Sequence, residues 1–202
     1  MPIRALFWDV GGVLLTNAWD HEERHRALEN FHLDSQEFHA RHEMVVSSFE
    51  RGKITLHEYL DHTVFYRKRS FTREQFRDYM FSLSQSNPDV LAFAHSLAAS
   101  GKCLMGTINN ESRELNLYRI DKFGLREIFR LFFSSCFVGQ RKPESDIYRL
   151  AIETTQIHPE HCCFIDDREL NVECAAALGM KTIRMQSLDQ LRAELEKLGV
   201  KP

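Results

Sequence analysis

Five short stretches of the chain are apolar almost without a break: ALFWDV, CLMGTI, LFFSSCFV, CCFI and KTIRM. They are near-continuously apolar rather than alternating. That pattern suits strands covered on both faces, as in a parallel sheet. Between them lie segments with helical ends. NPDVLAFAHSLAASG places Asn87 as an N-cap, Pro88 at the first helical position and Gly101 just past the end. RELNVECAAALG closes at Gly179 and leads into KTIRM. SLDQ, with Ser187 and Gln190, reads as a capping box that opens a last helix running to Gly199. From residue 87 onward helix and strand alternate, which predicts a doubly wound α/β sheet.

Residues 18–86 follow another rule. They are helical in pattern and nearly free of strand signals. D-S-Q-E at Asp34, T-L-H-E at Thr55 and T-R-E-Q at Thr72 each mark a helix start, and Gly52 marks a break. The aromatic residues Phe65, Tyr66, Phe71, Phe76, Tyr79 and Phe81 read as the interior of this helical segment. The basic run Arg67-Lys68-Arg69 reads as a solvated face. The expected division is a core of residues 1–17 and 87–202 and a helical insertion of 18–86.

Composition narrows the classes. A chain of 202 residues is long enough to bury one good core. With 43% hydrophobic and 27% charged residues it reads as globular. A net charge of -3 provides no global basic field for nucleic acid or an acidic membrane. No apolar run approaches the ~18 residues of a membrane span. The N-terminal MPIRALFWDVGG reads as a first strand rather than a signal peptide. Cys103, Cys136, Cys162, Cys163 and Cys174 form no C-x-x-C pair, and they read as reduced thiols in a cytoplasmic protein. The histidines show no zinc spacing. Oligomeric state is not readable.

In an open parallel sheet, ligands bind beyond the carboxyl ends of the strands. Asp9 sits at such an end, and Asp166 and Asp167 close CCFIDD. Thr107, Asn109 and Asn110 end or follow the second strand, and Gln140-Arg141-Lys142-Pro143 follows the third. Carboxylates gathered there repel, at about 4 kcal/mol per pair 4 Å apart in an effective dielectric near 20. They call for a cation or a raised pKa. All-oxygen ligands favour magnesium over zinc. Lys142 adds a charge for a phosphate oxygen, and the helix start after Asn110 adds backbone N–H groups. These parts suit phosphoryl transfer, with Asp9 as nucleophile forming an aspartyl phosphate.

FWDVGGVL, LMGTINN, RKP and FIDDRELN, in that order, resemble the haloacid dehalogenase-like (HAD) hydrolase superfamily. The resemblance implies a Rossmann-like core with a helical cap inserted after the first motif. It implies Asp9 as nucleophile and magnesium ligand, Lys142 steadying nucleophile and phosphate, and Asp167 as the acidic metal ligand beside Asp166. It implies Asn171 orienting the metal shell and the Gly11 carbonyl contributing to it. For the second motif it implies a Ser or Thr at the strand end. Asn109 takes that place if the strand ends at Ile108, and Thr107 if it ends sooner. The implied reaction is phosphatase action on a small phosphorylated metabolite.

The resemblance also implies an acid two residues after the nucleophile, where this chain has Gly11. General acid–base help is worth ~10²–10⁴ in rate. Three outcomes follow: hydrolysis limited to good leaving groups, an acid borrowed from Asp20 or His21, or a non-catalytic phospholigand-binding or regulatory role. A 2-haloacid dehalogenase is the second enzyme reading, against which Asp166-Asp167 argues. Lys53 and Lys68 are available for a Schiff base, as in a phosphonate-cleaving relative, but nothing singles them out. Arg41 and Arg51 are candidates to reach an anionic substrate from the helical segment.

Overall fold

The computed structural model describes residues 2–202. Five parallel strands form one sheet: β1 (Ala5–Trp8), β2 (Leu104–Asn109), β3 (Leu131–Ser134), β4 (Cys162–Asp166) and β5 (Lys181–Arg184), in the order β3-β2-β1-β4-β5. The helices, in chain order, are α1 (His21–Asn30), α2 (Ser35–Glu50), α3 (Leu56–Thr63), α4 (Arg73–Ser82), α5 (Pro88–Ser100), α6 (Arg113–Lys122), α7 (Leu125–Ile128), α8 (Ser135–Val138), α9 (Ser145–Thr155), α10 (Glu169–Ala177) and α11 (Leu188–Lys197). The doubly wound α/β sheet is the architecture expected from the alternating pattern.

The near-continuous apolar strands have a direct cause: both faces of the sheet are covered. In β1, Leu6 and Trp8 join a cluster with Val90, Phe93 and Leu97 of α5 and Leu191 and Leu195 of α11. Ala5 and Phe7 join the opposite cluster, with Ile147, Tyr148 and Ala151 of α9 and Ala175 of α10. Successive residues point to opposite faces, so a strand buried on both sides is apolar at every position.

A third cluster holds α1–α4 together, with Phe38, Phe49, Tyr59, Leu60, Phe76 and Met80 at its centre and Leu115 of α6 packed in. The caps agree with the sequence. Asp34 accepts from the Glu37 N–H, and Thr55 and Thr72 form reciprocal capping boxes with Glu58 and Gln75. Asp20 caps α1 through the His21 N–H.

Three expectations needed adjustment. LFFSSCFV is not one strand; it ends at Ser134, and Ser135–Val138 turns into α8. The Ser134 hydroxyl donates to Asn109 Oδ1 (2.8 Å) and the Ser135 hydroxyl to the Glu50 carbonyl (2.6 Å). Serine side chains that find such partners compete with the strand ladder. The SLDQ box closes by half: Ser187 accepts from the Gln190 N–H, but Gln190 Oε1 accepts from the Gln186 N–H rather than from Ser187. Asn87 precedes α5 without a side-chain cap bond.

Candidate active site

Sheet register builds the floor of the site. Trp8 pairs with Ile165, so Asp9 and Asp166 follow side by side at the ends of adjacent strands. Asp9 N–H donates to the Ile165 carbonyl (2.8 Å), which locks that step. The chain then turns sharply, with Leu14 and Leu15 both donating to the Val10 carbonyl. Gly12 sits in this turn at φ +76, and a Cβ there would lie 2.3 Å from Asp167 Oδ2. Glycine is therefore required twice at this position, for the left-handed backbone and for the close approach of Asp167.

Lys142 is the hub. Its Nζ lies 2.8 Å from Asp9 Oδ2 and 2.6 Å from Asp166 Oδ2, and it is 3% exposed. Its backbone is clamped by Asn110, which accepts from the Lys142 N–H (2.8 Å) and donates to the Lys142 carbonyl (2.9 Å). Asp166 is completely buried and fully occupied. It accepts from Lys142, from the Arg168 N–H (2.8 Å) and from Asn171 Nδ2 (3.0 Å to each oxygen). Asp167 differs: its Oδ1 is buried without a hydrogen-bond partner.

Oxygens of Asp9, Asp166 and Asp167 lie within 4.8 Å of one another. The electrostatic consequence is plain at Asp9. Burial above all, with Asp166 and Asp167 added, raises its pKa against the pull of the Lys142 ammonium, to about 7 in all. Burial, then Asp166, also raises Asp167. An unpartnered buried carboxylate oxygen beside two further carboxylates is a donor set that fits a hard dication.

Above this floor opens a cavity of about 250 Å³. Asp9, Gly11, Asn110, Lys142 and Asn171 line it from the sheet side. Trp19, Arg24, His42 and Phe49 line it from the helical segment. A Cβ on Gly11 would meet Asn17 Oδ1 at 3.0 Å, so the Asn17 amide fills the space beside that glycine. On the helical wall, Tyr59 hydroxyl links Trp19 Nε1 (2.9 Å) and His42 Nδ1 (2.8 Å). Burial, and then the Arg24 charge, pushes His42 down to about 3, so its ring is neutral.

Several expected site residues lie elsewhere. Thr107 is inside β2, fully buried with an unpartnered hydroxyl, and does not line the cavity. The strand runs on to Asn109, which excludes the reading that places Thr107 at its end. Asn109 stands at that end, but its amide is occupied by Asn116 (3.1 Å) and Ser134 (2.8 Å), and it does not line the cavity. Asn110 is the residue of this trio that does. Asp20 lines the rim and pairs with Arg168 (2.5 Å), whereas His21 stacks on His39 outside it. Arg41 lies over the Tyr66 ring, and Arg51 binds Glu144 and the Gly139 carbonyl. Lys53 and Lys68 are not on the wall. The cations that do face the cavity from outside the floor are Arg24, Arg119, Arg141 and Arg168. Sequence reasoning missed Arg24 and His42. Their signal was faint: Arg24 falls one helical turn past Asp20, the rim cap.

A doubly wound α/β sheet that gathers three carboxylates and a lysine beyond its strand ends places its ligand crevice where open α/β folds bind small molecules. The chain belongs to the haloacid dehalogenase-like hydrolase family, whose pattern it matches over residues 3–179. Flavin mononucleotide hydrolase 1, a chloroplast protein of Arabidopsis thaliana, is 31% identical over 160 residues, which is 79% of this chain and 64% of the relative. Bifunctional epoxide hydrolase 2 of Sus scrofa is 26% identical over 98% of this chain and 39% of its own length. The chain thus spans less than two thirds of either relative. A HAD-family enzyme of Bacteroides thetaiotaomicron, solved with magnesium and inorganic phosphate, shares the fold at a TM-score of 0.76, with 24% identity over 94% of this chain and 98% of that one.

Proposed function

We propose that the protein is a magnesium-dependent phosphatase acting on a small phosphorylated metabolite, with residues 18–86 serving as a helical cap over a core of 1–17 and 87–202. The observation that carries this reading is the Lys142 ammonium held between Asp9 and Asp166 on the cavity floor, beside the open oxygen of Asp167. The Arabidopsis relative's name, a flavin mononucleotide hydrolase, supports a phosphomonoester substrate. The Bacteroides relative's complex with magnesium and phosphate supports the metal.

Asp9, Asp167 and the Gly11 carbonyl would hold the dication. Asp166 and Asn171 would serve behind them, since Asp166 is saturated by Lys142, Arg168 and Asn171. Bound magnesium would supply positive charge against the phosphoryl oxygens and relieve the repulsion among the carboxylates. An Asp9 carboxylate oxygen attacks phosphorus, and the ester oxygen departs with the bonding pair. Water then attacks the phosphorus of the aspartyl phosphate, which releases phosphate and regenerates Asp9. Lys142 fixes the orientation of Asp9 and offers its charge to the phosphate, and the Asn110 clamp fixes Lys142. No carboxylic acid stands at position 11, so esters with good leaving groups react best. Asp20, at the rim and paired with Arg168, is the reserve acid. No helix among the described residues is long and apolar enough to cross a membrane. The five free cysteines suit the reducing setting of a cytoplasmic protein.

The test is hydrolysis of p-nitrophenyl phosphate with magnesium and with chelator. Turnover should need magnesium and vanish in Asp9→Asn. Turnover that survives both changes would overturn the reading. A second reading, a phospholigand-binding module, draws on Gly11 and the Asn17 amide beside it. It predicts magnesium and phosphate binding with no turnover across a metabolite panel. Metal-independent chloride release from a 2-chloro acid would instead identify a dehalogenase.

A further inference from the structure

Five cations line the cavity, and four of them are matched by carboxylates. Lys142 is held by Asp9 and Asp166, Arg119 by Glu111 (2.7 Å), Arg141 by Glu50 (3.0 Å) and Arg168 by Asp20 (2.5 Å). Arg24 is the exception: among the described residues no carboxylate pairs with it. Its Nη1 donates to the Trp19 carbonyl (2.6 Å), and its Nε is buried with no acceptor. A guanidinium anchored at one nitrogen and unsatisfied at another is a preorganised fork, the geometry that takes a carboxylate or phosphate. A buried N–H without a partner is costly, so such a group in a cavity wall points to an acceptor brought by a ligand.

Arg24 also stands apart from the reacting centre. Lys142, Asp166 and Asp167 weigh most on Asp9, and Arg168 interacts with it from the same end of the sheet. Arg24 acts instead on His39, His42, Tyr59 and Glu50, all on α2 and α3. Arg24 thus approaches the cavity from the helical wall, while Lys142 serves the phosphoryl end from the floor. We propose that Arg24 recognises a second anionic group on the leaving part of the substrate, so that the substrate is a compact phosphomonoester bearing a carboxylate or a second phosphate. The cavity of about 250 Å³ lies below the usual range for drug-sized ligands, about 300–1,000 Å³, which argues for a compact leaving part. This inference rests on the phosphatase reading and adds the substrate class to it.

The test uses matched ligands that differ only in the second charge: 2-phosphoglycolate against ethyl phosphate, and propane-1,3-diol bisphosphate against propyl phosphate. Each is measured as an inhibitor of p-nitrophenyl phosphate hydrolysis. Each is also titrated by calorimetry into the magnesium-loaded Asp9→Asn protein, which reads affinity without turnover. The native wall should favour the doubly anionic member of at least one pair by about ten- to hundredfold, the worth of a hydrogen-bonded charge. The pair that responds tells carboxylate from phosphate. Arg24→Gln should remove the preference, and Arg24→Lys should keep part of it. A purely structural Arg24 would weaken both members of a pair alike and leave their ratio standing. Absence of preference in the native wall, or a preference that survives Arg24→Gln, overturns the inference. If no phosphate compound binds and p-nitrophenyl phosphate is not turned over, the phosphatase reading itself has failed and takes this inference with it.

Discussion

Asp9→Asn should have a stability signature that depends on pH, quite apart from its effect on turnover. Burial and two neighbouring carboxylates lift Asp9 from an ordinary 3.8 to about 7 in the folded protein, against the pull of Lys142. Because the folded pKa is the higher one, the native state binds the proton more tightly than the unfolded chain. The sign follows: protonated Asp9 carries no penalty below about pH 4, and stability is lost as pH rises through the window between 3.8 and about 7. Three units at about 1.4 kcal/mol each make the full loss ~4 kcal/mol. Between about pH 5 and pH 8, where the protein can be handled, linkage gives ~2.5 kcal/mol.

The amide that replaces the carboxylate does not titrate, so the variant escapes this loss. It has a cost of its own. Both Asp9 oxygens accept hydrogen bonds, from Val10 N–H (2.7 Å) and from Lys142, so the new NH₂ must face a donor. That costs about 1–3 kcal/mol at every pH. About 1.5 kcal/mol of the wild type's loss falls below pH 5, so the variant should lie close to the wild type there and should pass it by pH 8. Urea unfolding followed by circular dichroism, in chelator, at four pH values measures the difference directly. Excess magnesium should reverse the trend, because a cation that binds only the folded wild type stabilises it in proportion to the logarithm of its concentration. A stability difference flat with pH to within ~0.5 kcal/mol would show that Asp9 is not under the charge pressure inferred for it.

Lys142→Met strands two buried carboxylates, and breaking a buried pair in this way costs about 3–5 kcal/mol; urea unfolding at pH 8 in chelator should show that loss, and a loss below ~1 kcal/mol would mean the lysine does not hold the acids together. Gly12→Ala puts a methyl 2.3 Å from Asp167 Oδ2 at φ +76. It should weaken magnesium binding, read by calorimetry, at least tenfold, and unchanged affinity would separate Asp167 from the metal. Gly11→Asp crowds Asn17 Oδ1 at 3.0 Å from the new Cβ. Paired with Asn17→Gly it should speed alkyl phosphate hydrolysis relative to aryl phosphate, toward the ~10²–10⁴ that a general acid can supply. The single change should fall short of the double, and equal gains would show that Asn17 does not hold that space.

What could be read from the sequence, and what could not, divides along the range of the interactions. The acids at Asp9 and Asp166-Asp167 were legible as strand-end groups because each ends an apolar strand; that the two ends lie side by side depends on the sheet order, which no local pattern encodes. The helix starts at Asp34, Thr55 and Thr72 were legible because capping is local. The end of the third strand was not, because Ser134 and Ser135 turn the chain by bonding to Asn109 and Glu50, residues distant in sequence. Thr107 was the alternative for a strand that ended early; β2 runs two residues past it, to Asn109, which leaves its side chain inside the core. Arg24 stayed hidden for the same reason as His42: which side of a surface helix meets the cavity is decided by how α1–α4 fold over the sheet, and no local pattern encodes that.

Charge counting ties these pieces to one another. Three carboxylates and one ammonium occupy the floor, so with all of them ionised the floor carries two uncompensated negative charges. Without a cation the site lowers that number by keeping protons: burial and neighbouring charge raise Asp9, to about 7, and raise Asp167 as well. A protonated Asp9 is a poor nucleophile. A dication cancels the excess and returns the carboxylate to its reactive form, so on this reading activation of the nucleophile and assembly of the site are one event. The helical wall carries the opposite imbalance, with Arg24 lacking a carboxylate and His42 already neutral. A ligand that is anionic at both ends satisfies floor and wall together, whereas a neutral leaving group satisfies only the floor and leaves the buried Arg24 N–H without an acceptor.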